Sequence, residues 1–207
     1  MPWTEKAHKM LKRLFDLAFA GFWAIVTSPV MLVIATLIKL DSPGPIFYVP
    51  LAVGKNGKPF RMLRFCTMDV DKSPDLTPSE RLTRVGRFIR NYSLDHLPTL
   101  YNVLKGDMSV VGPRPMEPEA VDLDDPNWQK ILTVKPGMIS LAILKLGKRY
   151  NASPLALKKK LETEYVEQQS FRFDLQMLLQ GLRAHVASTG NVKARGKPDP
   201  EVEEDFL

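Results

Sequence analysis

The chain is poor in the residues that build covalent or metal frameworks. It has one cysteine, Cys66, in 207 residues, which excludes an internal disulfide and a cysteine zinc cage and fits a reducing compartment. Cys66 itself reads as a small core side chain. The three histidines, His8, His96 and His185, do not fall at the spacing that puts two imidazoles on one helix face, so a multi-histidine metal site is not expected. Negative charge is also scarce outside the C-terminus. The net charge is +6, but the last nine residues hold five acids and no base, which leaves +11 on residues 1–198. A body of that sign favours polyanions, whether nucleic acid, anionic lipid headgroups or a phosphorylated small molecule.

What is present begins with a long charge-free run. Leu17 to Ile38 is 22 residues without a charge, with Lys6, Lys9, Lys12 and Arg13 before it and Lys39 after it. That length can cross a hydrocarbon core, and it exceeds the apolar stretch of a signal peptide. Thr27-Ser28-Pro29 lies at its middle, where proline removes an amide donor and predicts a bend. Basic residues on both flanks, rather than one, suit a hairpin that enters one leaflet and returns. The Thr27 and Ser28 hydroxyls would then satisfy backbone groups freed at the bend, because lipid offers no partners. A kinked spanning helix and a soluble core helix are the alternatives.

With 44% apolar residues, the remainder of the chain can bury one core, so one catalytic domain is expected. Ile46–Val49 and Phe60–Phe65 have strand composition and flank an Asn56-Gly57 turn, which predicts a β-hairpin. Residues 69–79 read as a loop and Glu80–Arg90 as a short basic helix. Leu94, Leu97, Leu100, Tyr101 and Leu104 fall at helical spacing, with Ser93 as the expected N-cap and Asp95 and His96 in the first turn, where exposed amides would favour a phosphate. Lys105-Gly106-Asp107 marks the helix exit, and Gly112-Pro113-Arg114-Pro115 a stiff extended turn that presents one arginine for bidentate phosphate contact. Lys135-Pro136-Gly137 reads as a turn. Ser153-Pro154 opens a helix to about Gln168, and Phe171–Val186 is amphipathic. The expected organisation is a membrane-associated segment over 1–40, a body over 41–188 and a disordered tail over 189–207.

Four segments stand in order at a familiar spacing: DSPGPIFY, VGKNGKPFRMLRF, SLDHLPTLYNVLKGDMSVVGPRP and KPG. Together with the Ser28-Pro29 bend they resemble the small monotopic phosphoglycosyl transferases, the bacterial sugar transferases that start glycoconjugate assembly. The resemblance runs from about Lys12 to Gly137. It implies an α/β, mostly helical fold with a re-entrant membrane helix, a small β-hairpin region and short interfacial helices, set at the cytoplasmic face of the bacterial cell membrane. It also implies transfer of a phosphosugar from a nucleoside diphosphate sugar to polyprenol phosphate with magnesium, in contact with membrane lipid and without nucleic acid. The family nucleophile, first member of an Asp-Glu dyad, corresponds to Asp95, which would also meet the metal; Arg64, Arg90 and Arg114 fall at matching phosphate-binding positions. The sequence departs from the pattern at the dyad's second position, which is His96, an imidazole in place of a hard oxygen donor and a possible acid or base. Pro50, Ala52 and Cys66 replace polar family residues, and 138–145 lacks the family's polar loop composition. A catalytically impaired membrane scaffold of the same fold is the alternative reading.

Overall fold

Proline at position 29 deprives the Ile25 carbonyl of its helical donor, and the Ser28 hydroxyl supplies one, donating to Ile25 O at 2.8 Å. The Thr27 hydroxyl donates to Trp23 O at 2.7 Å. The Ser28 bond stands in for the donor that proline removes, and the helix runs on through Pro29. In a computed structural model that describes residues 2–69, 73 and 75–190, α1 extends over Pro2–Asp41. A straight helix of 40 residues would be about 60 Å long, twice a hydrocarbon core. Both ends of its apolar run are held by the same body. Toward the N-terminus Ala20 is buried, with Phe15, Phe19 and Ala24 packed beside it; toward the C-terminus Ile34 and Ile38 pack with Phe65 and Ile89. Between these two contacts Phe22, Ile25, Val26, Val30, Leu32 and Val33 are exposed.

The predicted hairpin is present in two short rungs. β1 (Phe47–Tyr48) pairs with β4 (Arg64–Phe65), and β2 (Leu51–Val53) pairs with β3 (Pro59–Arg61), all antiparallel. Asn56 at φ 58° and Gly57 at φ 72° make the turn, the left-handed pair that an Asn-Gly sequence supplies. The basic helix expected over 80–90 is divided into α2 (Pro78–Arg81) and α3 (Arg84–Asn91). The division arises because Leu82 is extended and bridges Met68, while the Thr83 hydroxyl accepts from Gly86 N at 2.8 Å and starts α3 afresh.

Ser93 is not an N-cap. It is left-handed at φ 56°, its side chain caps nothing, and its amide donates to Arg90 O at 3.1 Å, so it closes α3 rather than opening the next helix. Leu94–His96 form a 3-10 turn and α4 begins only at Thr99, running to Lys105. Asp95 and His96 therefore precede the α-helix instead of lying in its first turn. Gly106 ends α4 at φ 98°, as the helix exit was read.

Beyond α4, β5 (Ser109–Val111) leads to the Arg114 turn. Lys135-Pro136-Gly137 is not merely a turn, since Gly137 starts β6 (Gly137–Ile139), which pairs in parallel with β5. Residues 141–146, read as loop, form α6 (Leu141–Leu146), started by the Ser140 hydroxyl, which accepts from Ile143 N at 3.2 Å. A short helix the sequence reading left out, α5 (Pro126–Ile131), is capped by Asp125. α7 (Leu155–Gln168) matches expectation, and α8 (Phe171–Gly190) runs four residues past Val186, through Thr189 and Gly190 of the segment read as disordered. The rest of that segment, 191–207, lies outside the described residues, as do 70–72 and 74 of the loop read over 69–79. The main core joins α1, α4, β5, α7 and α8 around Val103, Val110, Val111, Met177 and Tyr165; a fully buried side chain of this kind contributes about 1.5–3 kcal/mol. Cys66 is buried, as expected of a small core residue, and directs its thiol to Met68 O at 3.3 Å.

Candidate active site

Asn102 carries the geometry from which the site is built. Its amide accepts from Leu63 N at 2.9 Å and donates to Arg61 O at 2.7 Å, while the neighbouring Thr99 hydroxyl donates to Leu63 O at 3.0 Å. The buried face of α4 is thereby stitched to the strand that carries Arg64. The Leu94–His96 turn, directly ahead of α4, is held against β4 and α3.

Four elements converge on this turn. Arg64 comes from β4, Arg90 from the end of α3, Asp95 and His96 from the turn, and Arg114 from the segment after β5. All three guanidinium groups act electrostatically on both Asp95 and His96, so the five residues singled out from the sequence lie together. The Asp95 carboxylate is 3.6 Å from His96 Nε2, and its side chain is 13% exposed. Burial pushes the Asp95 carboxyl above its ordinary range, while Arg64 and Arg90 pull it back. Burial, followed by Arg64, Arg114 and Arg90, pushes the His96 imidazole down to about 3. An imidazole so disfavoured as a cation is neutral near pH 7; it can accept or donate a hydrogen bond but is a poor acid or base there.

Arg64 is the most telling of the three. It is largely buried, its Nε has no hydrogen-bond partner, and its terminal nitrogen donates only to the Met62 thioether, at 3.4 Å. Burial and Arg114 both disfavour its positive charge. The Asp95 carboxylate favours the Arg64 charge, so the cluster sets one carboxylate against three guanidinium groups, an excess of positive charge suited to an anionic ligand. Among the described residues no arginine is ion-paired to Asp95, so the guanidinium donors remain open to a ligand.

Arg114 is held by residues that the sequence reading missed. Its guanidinium carbon lies 5.0 Å from the centre of the Tyr150 ring, and its backbone amide donates to Glu162 Oε1 at 3.3 Å. No local motif marks Glu162 or Tyr150; each comes from an element distant in sequence. Ser28 and Pro29 lie on exposed positions of α1, outside this cluster.

The residues give a limited fit to magnesium. Asp95 offers one hard oxygen donor, its neighbour offers nitrogen, and the described residues hold no group of three acids or histidines able to cage a cation. They suit an ion that takes most of its ligands from a diphosphate, with Asp95 as the protein contact.

An α/β body with a long apolar helix that gathers three guanidinium groups around a largely buried carboxylate has the chemistry of a protein that holds a phosphorylated ligand. The particular family is fixed by comparison. Residues 7–188 match the bacterial sugar transferase family, and the chain belongs to it. It is 39% identical over 184 residues to an uncharacterized sugar transferase of Bacillus subtilis (strain 168), covering 87% of this chain and 90% of that protein. It is 34% identical over 192 residues to a UDP-glucose:undecaprenyl-phosphate glucose-1-phosphate transferase of Caulobacter vibrioides, covering 86% and 70%. A UDP-N-acetylgalactosamine-undecaprenyl-phosphate N-acetylgalactosaminephosphotransferase of Aeromonas hydrophila is 32% identical over 191 residues, 88% of this chain and 45% of the relative. The chain is thus a sugar transferase with an apolar N-terminal helix long enough to cross a membrane.

Proposed function

We propose that the chain transfers a phosphosugar from a uridine diphosphate sugar to polyprenol phosphate, through a covalent intermediate on Asp95, at the cytoplasmic face of the bacterial cell membrane. The observation that carries this reading is the buried, unsatisfied Arg64 guanidinium facing the same carboxylate as Arg90 and Arg114. Two relatives are named as transferases acting on UDP-sugars and undecaprenyl phosphate, anions of the kind three clustered guanidinium groups suit.

In the first displacement an Asp95 oxygen bonds to the sugar-bearing phosphorus as the bond from that phosphorus to the bridging oxygen breaks, and uridine monophosphate leaves with the electron pair. In the second, a carrier phosphate oxygen attacks the same phosphorus, the bond to Asp95 breaks, and a polyprenyl diphosphosugar is released. No proton need move in either step, which agrees with a neutral His96 that orients Asp95 rather than acting as acid or base. Arg64, Arg90 and Arg114 stabilise charge on the transferring group. Magnesium, when bound, would neutralise the diphosphate, with Asp95 as its protein contact.

The way α1 is tied supports the re-entrant reading. Near its start Lys12 donates to Asp174 Oδ2 at 2.5 Å, and at its end Asp41 Oδ2 accepts from Val85 N at 2.9 Å. Both flanks of the apolar run thus grip one body, which favours a helix that dips into one leaflet over a spanning one, with its exposed apolar middle in lipid.

Purified protein in detergent, given undecaprenyl phosphate and a panel of UDP-sugars, is expected to release uridine monophosphate and form the lipid diphosphosugar. Absence of release across the panel, with nucleotide binding intact, would favour the membrane scaffold.

A further inference from the structure

Outside the five-residue cluster, Glu162 is a buried acid whose surroundings the mechanism leaves unexplained. Glu162 on α7 is 5% exposed, and its Oε2 has no hydrogen-bond partner. Its Oε1 accepts from the backbone amide of Arg114 at 3.3 Å. One side chain thus ties α7 to the turn that presents Arg114. We propose that Glu162 is a positioning residue for donor binding: it fixes the Arg114 main chain from behind, and its charge sets how much of the Arg114 charge is free to meet the diphosphate. The proposal rests on the donor-site reading above and extends it to a residue that touches neither substrate nor Asp95.

The mechanical half of the argument concerns freedom. Pro113 and Pro115 restrict the backbone on either side of Arg114, and the Tyr150 ring supports its guanidinium at 5.0 Å. The amide bond to Glu162 anchors the peptide between the two prolines. An arginine fixed at backbone and head reaches the phosphate with little entropy left to lose.

The electrostatic half concerns sign. The charged or titratable groups facing Glu162 are Arg114 and the Tyr150 hydroxyl. Lys158, one turn before Glu162 on α7, sets its ammonium 4.6 Å from the centre of the Tyr150 ring, while Lys159 pairs with Asp125, Lys130 with Glu167 and Lys145 with Glu164. Burial pushes the Glu162 carboxyl up to about 7. Below that pH Glu162 is neutral, still accepts the Arg114 amide, and leaves the guanidinium charge uncompensated. Above it the carboxylate competes with a diphosphate for the same cation. Donor affinity therefore weakens as pH rises through neutrality, and by linkage donor binding takes up a proton.

The test measures, between pH 6 and 8, the affinity of the whole chain in detergent micelles for uridine diphosphate esterified at its terminal phosphate, as methylene-bridged UDP-glucose and UDP-N-acetylgalactosamine, which carry no group titrating in that window, for the native protein, E162Q and E162A. The native chain is expected to bind more weakly at pH 8 than at pH 6. E162Q keeps an acceptor oxygen without the charge, so it should bind at pH 8 at least as well as the native chain and show a flat profile. E162A is expected to lose about tenfold in affinity, the scale of a lost hydrogen bond that orders a charged group. A role confined to folding would shift melting temperature but leave the native pH slope present in E162Q. A slope that survives in E162Q, or unchanged affinity in a folded E162A, overturns the positioning role alone. If E162A does not fold, the E162Q profile decides. Failure of the native chain to bind either uridine diphosphate ester at any pH overturns the donor-site reading, and this proposal with it.

Discussion

Arg13 donates a guanidinium hydrogen to the Val103 carbonyl at 2.7 Å, and so ties the N-terminal part of α1 to the end of α4, the helix that follows Asp95. Its second terminal nitrogen donates to Leu104 O at 2.8 Å. Together they satisfy carbonyls at the C-terminus of α4, where positive charge is favoured. Removing them in Arg13→Ala should cost about 2 kcal/mol, the scale of a hydrogen bond from a charged donor, and loosen α4 from α1. Melting in detergent micelles checks the stability, and the rate of uridine monophosphate release checks whether the loosening reaches Asp95. Arg13→Lys should recover only part, since a single ammonium cannot match the two-pronged contact.

Backbone packing behind Arg114 leaves no room at Gly137. A Cβ there would fall 2.0 Å from Gly112 N, at the point where β5 and β6 run together. Gly137→Ala should separate the two strands and yield protein that does not fold or melts far below the native chain. Gly181→Ala, whose Cβ would meet only side-chain atoms at 3.4 Å or more, should be tolerated. Expression in membranes followed by thermal challenge distinguishes the pair.

The pH dependence of stability has a definite sign at Glu162. Its carboxyl is raised from 4.5 to about 7 in the folded chain, so folding favours the protonated form. The stabilisation is full below the unfolded value of 4.5 and is lost as pH rises through about 7. A shift of that size corresponds to about 3 kcal/mol. Native protein should lose stability relative to Glu162→Gln between pH 5 and pH 8, as read by paired denaturation curves at each pH.

Much of this arrangement was legible before any coordinates. The apolar run, the Asn56-Gly57 hairpin turn and the Gly106 exit are local signals, because each depends on residues adjacent in sequence. Asp95, His96, Arg64, Arg90 and Arg114 were named from motif and resemblance, and they do lie together. What was missed is non-local. Ser93 has the composition of an N-cap, but the closing turn of α3 takes it left-handed. The β5–β6 pair joins segments 28 residues apart in register, Ser109 with Gly137, and no periodicity announces a three-residue parallel pairing. Asn102 and Thr99 look like ordinary helix positions until the hairpin backbone is laid against them. Glu162 reads as one acid in a charged helix; only its burial against Arg114 sets it apart.

Topology supplies an independent check. With Lys12 and Asp41 both fastened to the body, tags at residues 1 and 207 should report from the same side of the membrane. Reporter fusions or accessibility labelling on intact cells and on inverted vesicles read this directly. Tags on opposite sides would mean that α1 spans.

The most direct measurement is the intact mass of the protein after incubation with a UDP-sugar in the absence of the lipid carrier. A gain equal to one phosphosugar, mapped by fragmentation to Asp95, lost in Asp95→Asn and discharged on adding undecaprenyl phosphate, is the predicted result. Uridine monophosphate release without any adduct on the chain, or an adduct that persists in Asp95→Asn, would contradict it.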